Sequence, residues 1–554
     1  MNGLSNSSIS PYIGALSSLK AISLAHGSLN GTFPKDLCSL KKLQELDLSD
    51  NLFEGILPTC LNNLTSLRLF DISRNRFVGN ISSYLIASLT SLEYIDLSYN
   101  QFEGLFQFNI FANHSKLKAI LLASENNKLE IETEISAGWD FSFQLMILVL
   151  SNCNLNKLVG NIPKLLLDQR ELEIIDLSHN NLNGSFPIWL IENNTRLRKL
   201  NLQNNSFMGY PPSLIANESH LLQDLDLSFN DFSGKVPTKL IASRTNLLSL
   251  KLCNNQFTGF ELQAAPSKEF GWSKMRFLDI SNNKLSGMIP RWIGNMTSLQ
   301  SLVVSNNSFE GQIPCGLLNF LEEIGIMDLS KNSLSGTIPH CFHNMSFRKL
   351  HVYDFLHGSY NDYTIHRFLQ VGSTFQMLSE WNSVRDYIDI EYGQQVAVEF
   401  VTKYRSNSYH GDILNYMSGL DLSCNKLTGR IPQELGELSS ILALNLSYNQ
   451  LTGSIPQTFS NLTNLESLDL SHNKLSGKIP SELIDLYSLE VFTVAYNNLS
   501  GKLPEMKAQF GTFEKSCYEG KPFLCGEPLD NNCTREDESH PSPTKSSNAS
   551  EGQC

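Results

Sequence analysis

Leu465-Glu466-Ser467-Leu468-Asp469-Leu470-Ser471-His472-Asn473-Lys474-Leu475-Ser476-Gly477-Lys478-Ile479-Pro480 decides the fold. Its first nine residues follow the pattern Leu-x-x-Leu-x-Leu-x-x-Asn, with Leu465, Leu468, Leu470 and Asn473 in phase. The phase returns at Asn51, Asn75 and Asn100, at Asn180, Asn205, Asn230, Asn255, Asn283, Asn307 and Asn332, and at Asn425, Asn449 and Asn497. Three further repeats carry Gly27, Glu125 or Cys153 in place of the Asn, which makes seventeen. Successive repeats step by 24 to 28 residues, except Asn332 to Asn425, which is 93. Apolar residues two apart on a short strand point to one side while the residue between them points to the other. An Asn amide donates and accepts at once, so stacked Asn side chains can satisfy buried backbone groups of neighbouring turns. One such unit cannot bury its apolar side alone, and stability must come from stacking on its neighbours.

The period matches the leucine-rich-repeat template of 20–29 residues per unit. A second motif follows each Asn, as in Leu285-Ser286-Gly287-Met288-Ile289-Pro290, Leu334-Ser335-Gly336-Thr337-Ile338-Pro339 and Leu475-Ser476-Gly477-Lys478-Ile479-Pro480. Glycine permits a tight backbone there, and proline removes a donor at the entry to a helical turn on the convex side. This motif resembles the plant extracellular class of leucine-rich repeats over about residues 19–533. The expected fold is an α/β solenoid: a right-handed plant-type leucine-rich-repeat superhelix with a parallel concave β-sheet and one island insert. Sixteen strand steps of about 4.8 Å give a face on the order of 75–80 Å long, which suits a peptide or protein better than a small metabolite.

Composition narrows the partners. The 554 residues hold 42 Lys+Arg against 55 Asp+Glu, a formal net charge of −13. That balance argues against nucleic acid, since binding phosphate requires Lys and Arg to neutralise it. Charged residues make up 18%, below the roughly 25% of an ordinary domain, so much of the polar surface must be Asn, Ser and Thr. No run approaches the roughly 20 apolar residues that span a bilayer, and Met1–Asn6 shows neither a basic nor an apolar leader region. Eleven cysteines, an odd number, settle no compartment.

The 93-residue step holds an insert at 341–415 that abandons the leucine period and carries twelve aromatic residues across Tyr353–Tyr409, among them Tyr353, Tyr360, Tyr363, Trp381, Phe400, Tyr404 and Tyr409. Within it, Gln395–Thr402 alternates weakly and reads as strand. The insert looks like the island of plant receptor-like proteins and of the brassinosteroid and phytosulfokine receptors, in which four repeats likewise follow. Val398-Glu399-Phe400-Val401-Thr402-Lys403 and Gly411-Asp412-Ile413-Leu414 strongly resemble the receptor-like proteins. Cys517, Cys525 and Cys533, with Tyr518–Leu529, resemble that family's C-terminal cap, where paired cysteines close the solenoid. The expected organisation is 1–18 a partial first repeat lacking its N-terminal cap, 19–340 repeats one to thirteen, 341–415 the island, 416–512 repeats fourteen to seventeen and 513–533 the Cys cap. Residues 534–554, rich in Ser, Pro and acid, read as a disordered juxtamembrane-like tail. The chain so reads as a partial ectodomain.

Seventeen Asn-x-Ser/Thr sequons are present, and Asn30, Asn63, Asn80, Asn113, Asn295, Asn344 and Asn461 are the candidates for glycosylation. Cys38 and Cys60 occupy convex positions of successive repeats, so a disulfide between them is expected; Cys315 with Cys341 is similar, and the cap implies Cys525 with Cys533. The alternative for each is a buried thiol. None has the spacing of a zinc site, and the twelve His show no ligand spacing. Neither a kinase signature nor a Gly-x-Ser-x-Gly elbow appears, so no enzyme, metal or cofactor is expected.

Outward strand positions mostly carry Asp, as at Asp47, Asp71, Asp96, Asp176, Asp279, Asp328, Asp421 and Asp469, a recurrence that reads as scaffold. Departures carry more information. Leu121 and Val149, flanked by Ala119 and Ile147, form an apolar stretch expected on the concave surface, and Lys199 and Lys251, with the neutral amide Gln203 beside them, give cationic relief. The resemblance implies a plant cell-surface receptor-like protein without a kinase domain. It would sit on the extracellular side of the plasma membrane, anchored by a helix absent from this chain, and would bind an extracellular peptide or protein. It would signal through a leucine-rich-repeat co-receptor and adaptor receptor kinases, in defence or in development. Ligand is expected where the island, through Tyr353, Tyr360, Tyr363, Trp381 and Tyr404, meets Val303, Asn306 and Asp328, with Leu121 and Val149 as a second candidate site and Lys251 as a further contact; Tyr448, His472 and Tyr496 are expected to face the co-receptor. The other reading is a secreted inhibitor or decoy of a microbial glycosidase. Those proteins lack an island and have fewer repeats, while the missing membrane helix favours them.

Overall fold

In the computed structural model of the chain each repeat opens on a strand of three residues, one inward side chain with an outward flanker on either side, and a second buried apolar residue follows before the Asn turn. The structure describes residues 11–134, 141–211, 221–237, 246–261, 274–318, 321–345, 347, 397–403, 405–410, 414, 416–520, 523–531 and 533. The chain divides into two compact units, Met1–Leu247 and Leu248–Cys554, a division the repeat period does not announce.

The first unit contributes nine of these strands, from Ala21–Ser23 to Asp224–Asp226, and the second eight, from Ser249–Lys251 to Val491–Thr493, seventeen together. All are parallel and in register within their unit. Leu46 pairs with Phe70, and Phe70 with Ile95. In the second unit Leu302 pairs with Met327, Met327 with Leu420, and Leu420 with Leu444. These inward side chains are almost completely buried.

The Asn ladder uses every atom of the amide. Asn473 donates through Nδ2 to the carbonyls of Leu446 (2.9 Å), Ser471 (3.1 Å) and Leu470 (3.3 Å), and its Oδ1 accepts from the Leu451 amide (3.0 Å). Asn75 repeats the arrangement in the first unit. Where Cys153 replaces the Asn, its thiol is buried and its amide donates to Asn180 Oδ1 at 3.1 Å. Neighbouring Asn152 and Asn154 then donate to the carbonyls of Ser124 and Asn127, a local compensation the repeat pattern does not show.

Recurring Asp residues cap the strand ends. Asp47 Oδ1 accepts from both the amide and the hydroxyl of Ser49, at 3.0 and 2.7 Å, and Asp279 does the same with Ser281. The Ile-Pro element opens a convex 3-10 turn: Pro480 precedes Ser481–Asp485, which buries Leu483. Gly477, at φ +81°, is the position where a left-handed backbone is required and only glycine adopts it without strain.

Disulfides join Cys38 to Cys60, Cys315 to Cys341 and Cys525 to Cys533, with Cα separations of 5.7, 5.8 and 5.1 Å. At the C-terminal end Phe510, Phe513 and Tyr518 pack on Phe492, the inward residue of the last strand, with centroids 5.2, 5.6 and 6.2 Å away. An apolar surface that no further repeat would cover is thereby removed from water.

Candidate ligand-recognition face

Of the insert, the described part is an antiparallel hairpin, Ala397–Thr402 paired with Arg405–His410. Lys403, which follows the first strand directly, takes φ +51°, the left-handed conformation common in tight hairpin turns. The period-2 burial of the first strand decides where it goes. Val398 and Phe400 are 4% and 2% exposed and pack with Val303, Ile326, Met417 and Ala443, with Phe277, Tyr409 and Leu414 at the margin. All four solenoid positions except Met417 are outward strand positions, so the hairpin covers part of the second unit's concave sheet. Room for it comes from Gly419, the outward residue between Ile326 and Ala443 in register. At its far end Lys403 Nζ lies 2.8 Å from Glu466 Oε2 and 2.7 Å from Glu490 Oε2. Its pKa is held above the ordinary value by the hydrogen bond to Glu466, then by that to Glu490.

This placement corrects two expectations. Val303 and Asp328 are 4% and 6% exposed; Val303 lies in the cluster under the hairpin, and neither offers itself as a surface contact. Asn306 stays exposed and donates to Asn282 Oδ1 at 2.7 Å. Tyr353, Tyr360, Tyr363, Trp381 and Tyr404 lie outside the described residues. In the first unit, Leu121 and Val149 are 0% and 2% exposed, and their outward neighbours Tyr94, Ala119, Ile147 and Ile174 are buried too. Apolar groups gathered at adjoining register positions are removed from water, so this stretch is packed core and not an open patch. Lys251 is half-buried.

Asp328 and Asp421 are register partners, both buried. Asp421 accepts from the Ser423 amide (2.8 Å) and Asn445 Nδ2 (3.1 Å). Burial, then the charge of Asp328, pushes its carboxyl up to about 7. The folded state thus holds a proton that the unfolded chain, with an ordinary Asp value of about 3.9, releases. Stability from this group is complete at low pH and is lost as pH rises through about 7. Between pH 5 and 8 the loss is expected to be on the order of 1–3 kcal/mol. Calorimetric melting across that range checks it, and Asp421→Asn should flatten the dependence; a parent melting point that rises over this interval contradicts the account.

In the last repeats, the residues just before the Asn form a stack. The rings of Tyr448 and His472 are 4.0 Å apart and those of His472 and Tyr496 are 4.3 Å apart, all nearly parallel. Each takes φ near +50°, which turns the three side chains the same way. Tyr496 Oη donates to Glu519 Oε2 at 3.2 Å, and desolvation lowers the His472 pKa. Asn30, Asn63, Asn80, Asn113, Asn295 and Asn461 are exposed, whereas the sequon residue Asn445 is tied to Asp421. Among the described residues no group of three His, Cys, Asp or Glu could hold a metal ion, and no helix is long and apolar enough to cross a membrane.

Repeated parallel strands, the Asn ladder and the convex turns define a leucine-rich-repeat protein. Profiles of the leucine-rich-repeat family match residues 41–102, 245–309 and 443–499, and, for single repeats, 171–192, 196–217, 325–345 and 417–438. Within that class the chain is similar to plant receptor-like proteins. Receptor-like protein 13 of Arabidopsis thaliana is 34% identical over 211 residues, which is 38% of this chain and 16% of that protein. Cuscuta receptor 1 of Solanum lycopersicum is 79% identical over 139 residues, 25% of this chain and 12% of that protein. The matched segments therefore span less than a fifth of these relatives' own length. Among solved structures, the plant peptide hormone receptor RGFR1 in complex with RGF2 superposes with a TM-score of 0.64 at 28% identity, covering 92% of this chain and 69% of that one. PEPR1 with AtPEP1 gives 0.54 at 25%, covering 90% and 68%.

Proposed function

We propose that the chain is the non-catalytic ligand-recognition part of a plant cell-surface receptor, working on the extracellular side of the membrane. It binds an extracellular peptide or protein and signals through partner receptor kinases. The observation that carries this is the likeness, over most of the chain, to a plant peptide hormone receptor solved in complex with RGF2, joined to similarity to receptor-like proteins. The insert and the strands beside it, with exposed Asn306, form the ligand side. The Tyr448–His472–Tyr496 stack forms the side that meets a leucine-rich-repeat co-receptor, since aromatic side chains dominate interface hot spots. Fused to a membrane helix and displayed on plant cells, the chain is expected to co-purify with leucine-rich-repeat receptor kinases. Alanine at Tyr448, His472 and Tyr496 together should weaken that association by about tenfold or more. Unchanged co-purification would remove the stack from the interface.

A further inference from the structure

We propose that the concave sheet of the second unit holds a binding site for an extended peptide, which the chain's own hairpin Ala397–His410 occupies as a releasable strap. This rests on the peptide-receptor reading and specifies the ligand for it: an apolar residue, an aromatic residue two positions on, and a basic residue three positions beyond that. The occupant supplies this pattern in Val398, Phe400 and Lys403.

Four observations point the same way. Among the described residues the hairpin's strands pair only with each other, so side chains hold it to the solenoid and it can leave as a unit. Its floor is a shaped apolar slot, with Phe277, Val303, Ile326 and Ala443 around Gly419, where a Cβ would stand 2.3 Å from Phe400 Cε1. Ser301, between Phe277 and Ile326 in register, is 2% exposed, and its hydroxyl has no hydrogen-bond partner in the strapped state. A buried unpaired hydroxyl is costly, and a peptide carbonyl or amide entering the slot could meet it. Finally, the clasp is a partly exposed ion pair, the Lys403 side chain being 35% exposed and those of Glu466 and Glu490 39% and 58%. Exposed pairs are weak and exchange readily, and a ligand's basic side chain can take Lys403's place between the two carboxylates.

The test uses the full chain and a fluorescein-labelled synthetic peptide with the sequence of residues 397–405. Opening the clasp raises the fraction of sites free to bind, and apparent affinity rises in proportion. Lys403→Met and Lys403→Glu should each speed amide exchange over 397–410 and tighten peptide binding about tenfold relative to the parent. Glu466→Gln with Glu490→Gln should speed the same amides without that gain, because the peptide's lysine then lacks its partners. A peptide with Ser at the Phe400 position should not bind. Melting curves and circular dichroism establish that each variant is folded; if one Lys403 variant fails, the other carries the test. Hairpin amides that exchange no faster in any variant overturn the proposal, as do opened variants that bind the peptide no better than the parent. A chain that fails here yet co-purifies with receptor kinases keeps its receptor role and loses only this site.

Discussion

Replacing Asn473 with leucine should destabilise the C-terminal repeats by roughly 1–3 kcal/mol. Leucine keeps the volume but removes four hydrogen bonds at once. The carbonyls of Leu446, Leu470 and Ser471 lose a donor, and the Leu451 amide loses its acceptor. These groups belong to two successive repeats, and Asn473 is itself only 9% exposed, so water cannot take its place without opening the turn. Because repeat stability is shared between nearest neighbours, the loss should appear as earlier melting and faster amide exchange around residues 446–475. An unchanged melting transition and unchanged exchange there would show that the ladder does not carry the energy assigned to it.

Gly419→Val should unseat the hairpin. The added Cβ would fall 2.3 Å from Cε1 and 2.5 Å from Cζ of Phe400, and the ring is enclosed by Val303, Ile326 and Ala443, so it cannot swing aside. Exposing Phe400 and Val398 costs about 3–6 kcal/mol, from about 1.5–3 for each side chain. The strand Gly419–Asp421 keeps its backbone pairing with both neighbours. The expected result is therefore rapid exchange confined to 397–410, with residues 419–445 still protected. Equal loss of protection in both segments would mean that the hairpin is a structural part of the sheet.

Periodicity made the repeats legible because it constrains side-chain type at fixed steps: Leu468 must be apolar and Asn473 must both donate and accept. It also located Cys38 opposite Cys60, since convex positions of successive repeats are neighbours. What alternation conveys is which side of a strand a residue faces. It does not convey whether that side is covered. Leu121, Val149 and Val303 all face outward as read, and all are buried. The cover over Val303 comes from Phe400, about a hundred residues along the chain, and it depends on a glycine at 419 and a lysine at 403 that no repeat pattern marks. The stack of Tyr448, His472 and Tyr496 lay nearer to hand, because three aromatic rings at one repeat position must fall on top of one another.

Met327 and Leu420 are register partners although 93 positions separate them, as close a pairing as any between ordinary consecutive repeats. The junction between these two repeats thus keeps the ordinary register although a long stretch of chain leaves and returns there. Closing a flexible loop costs only about 0.6 kcal/mol more for each doubling of its length. A lineage carrying this fold can therefore lengthen, shorten or exchange the excursion while the scaffold that displays it stays put. New recognition can then arise by insertion, with selection acting on the inserted segment and on the few outward positions beneath it, Gly419 first among them.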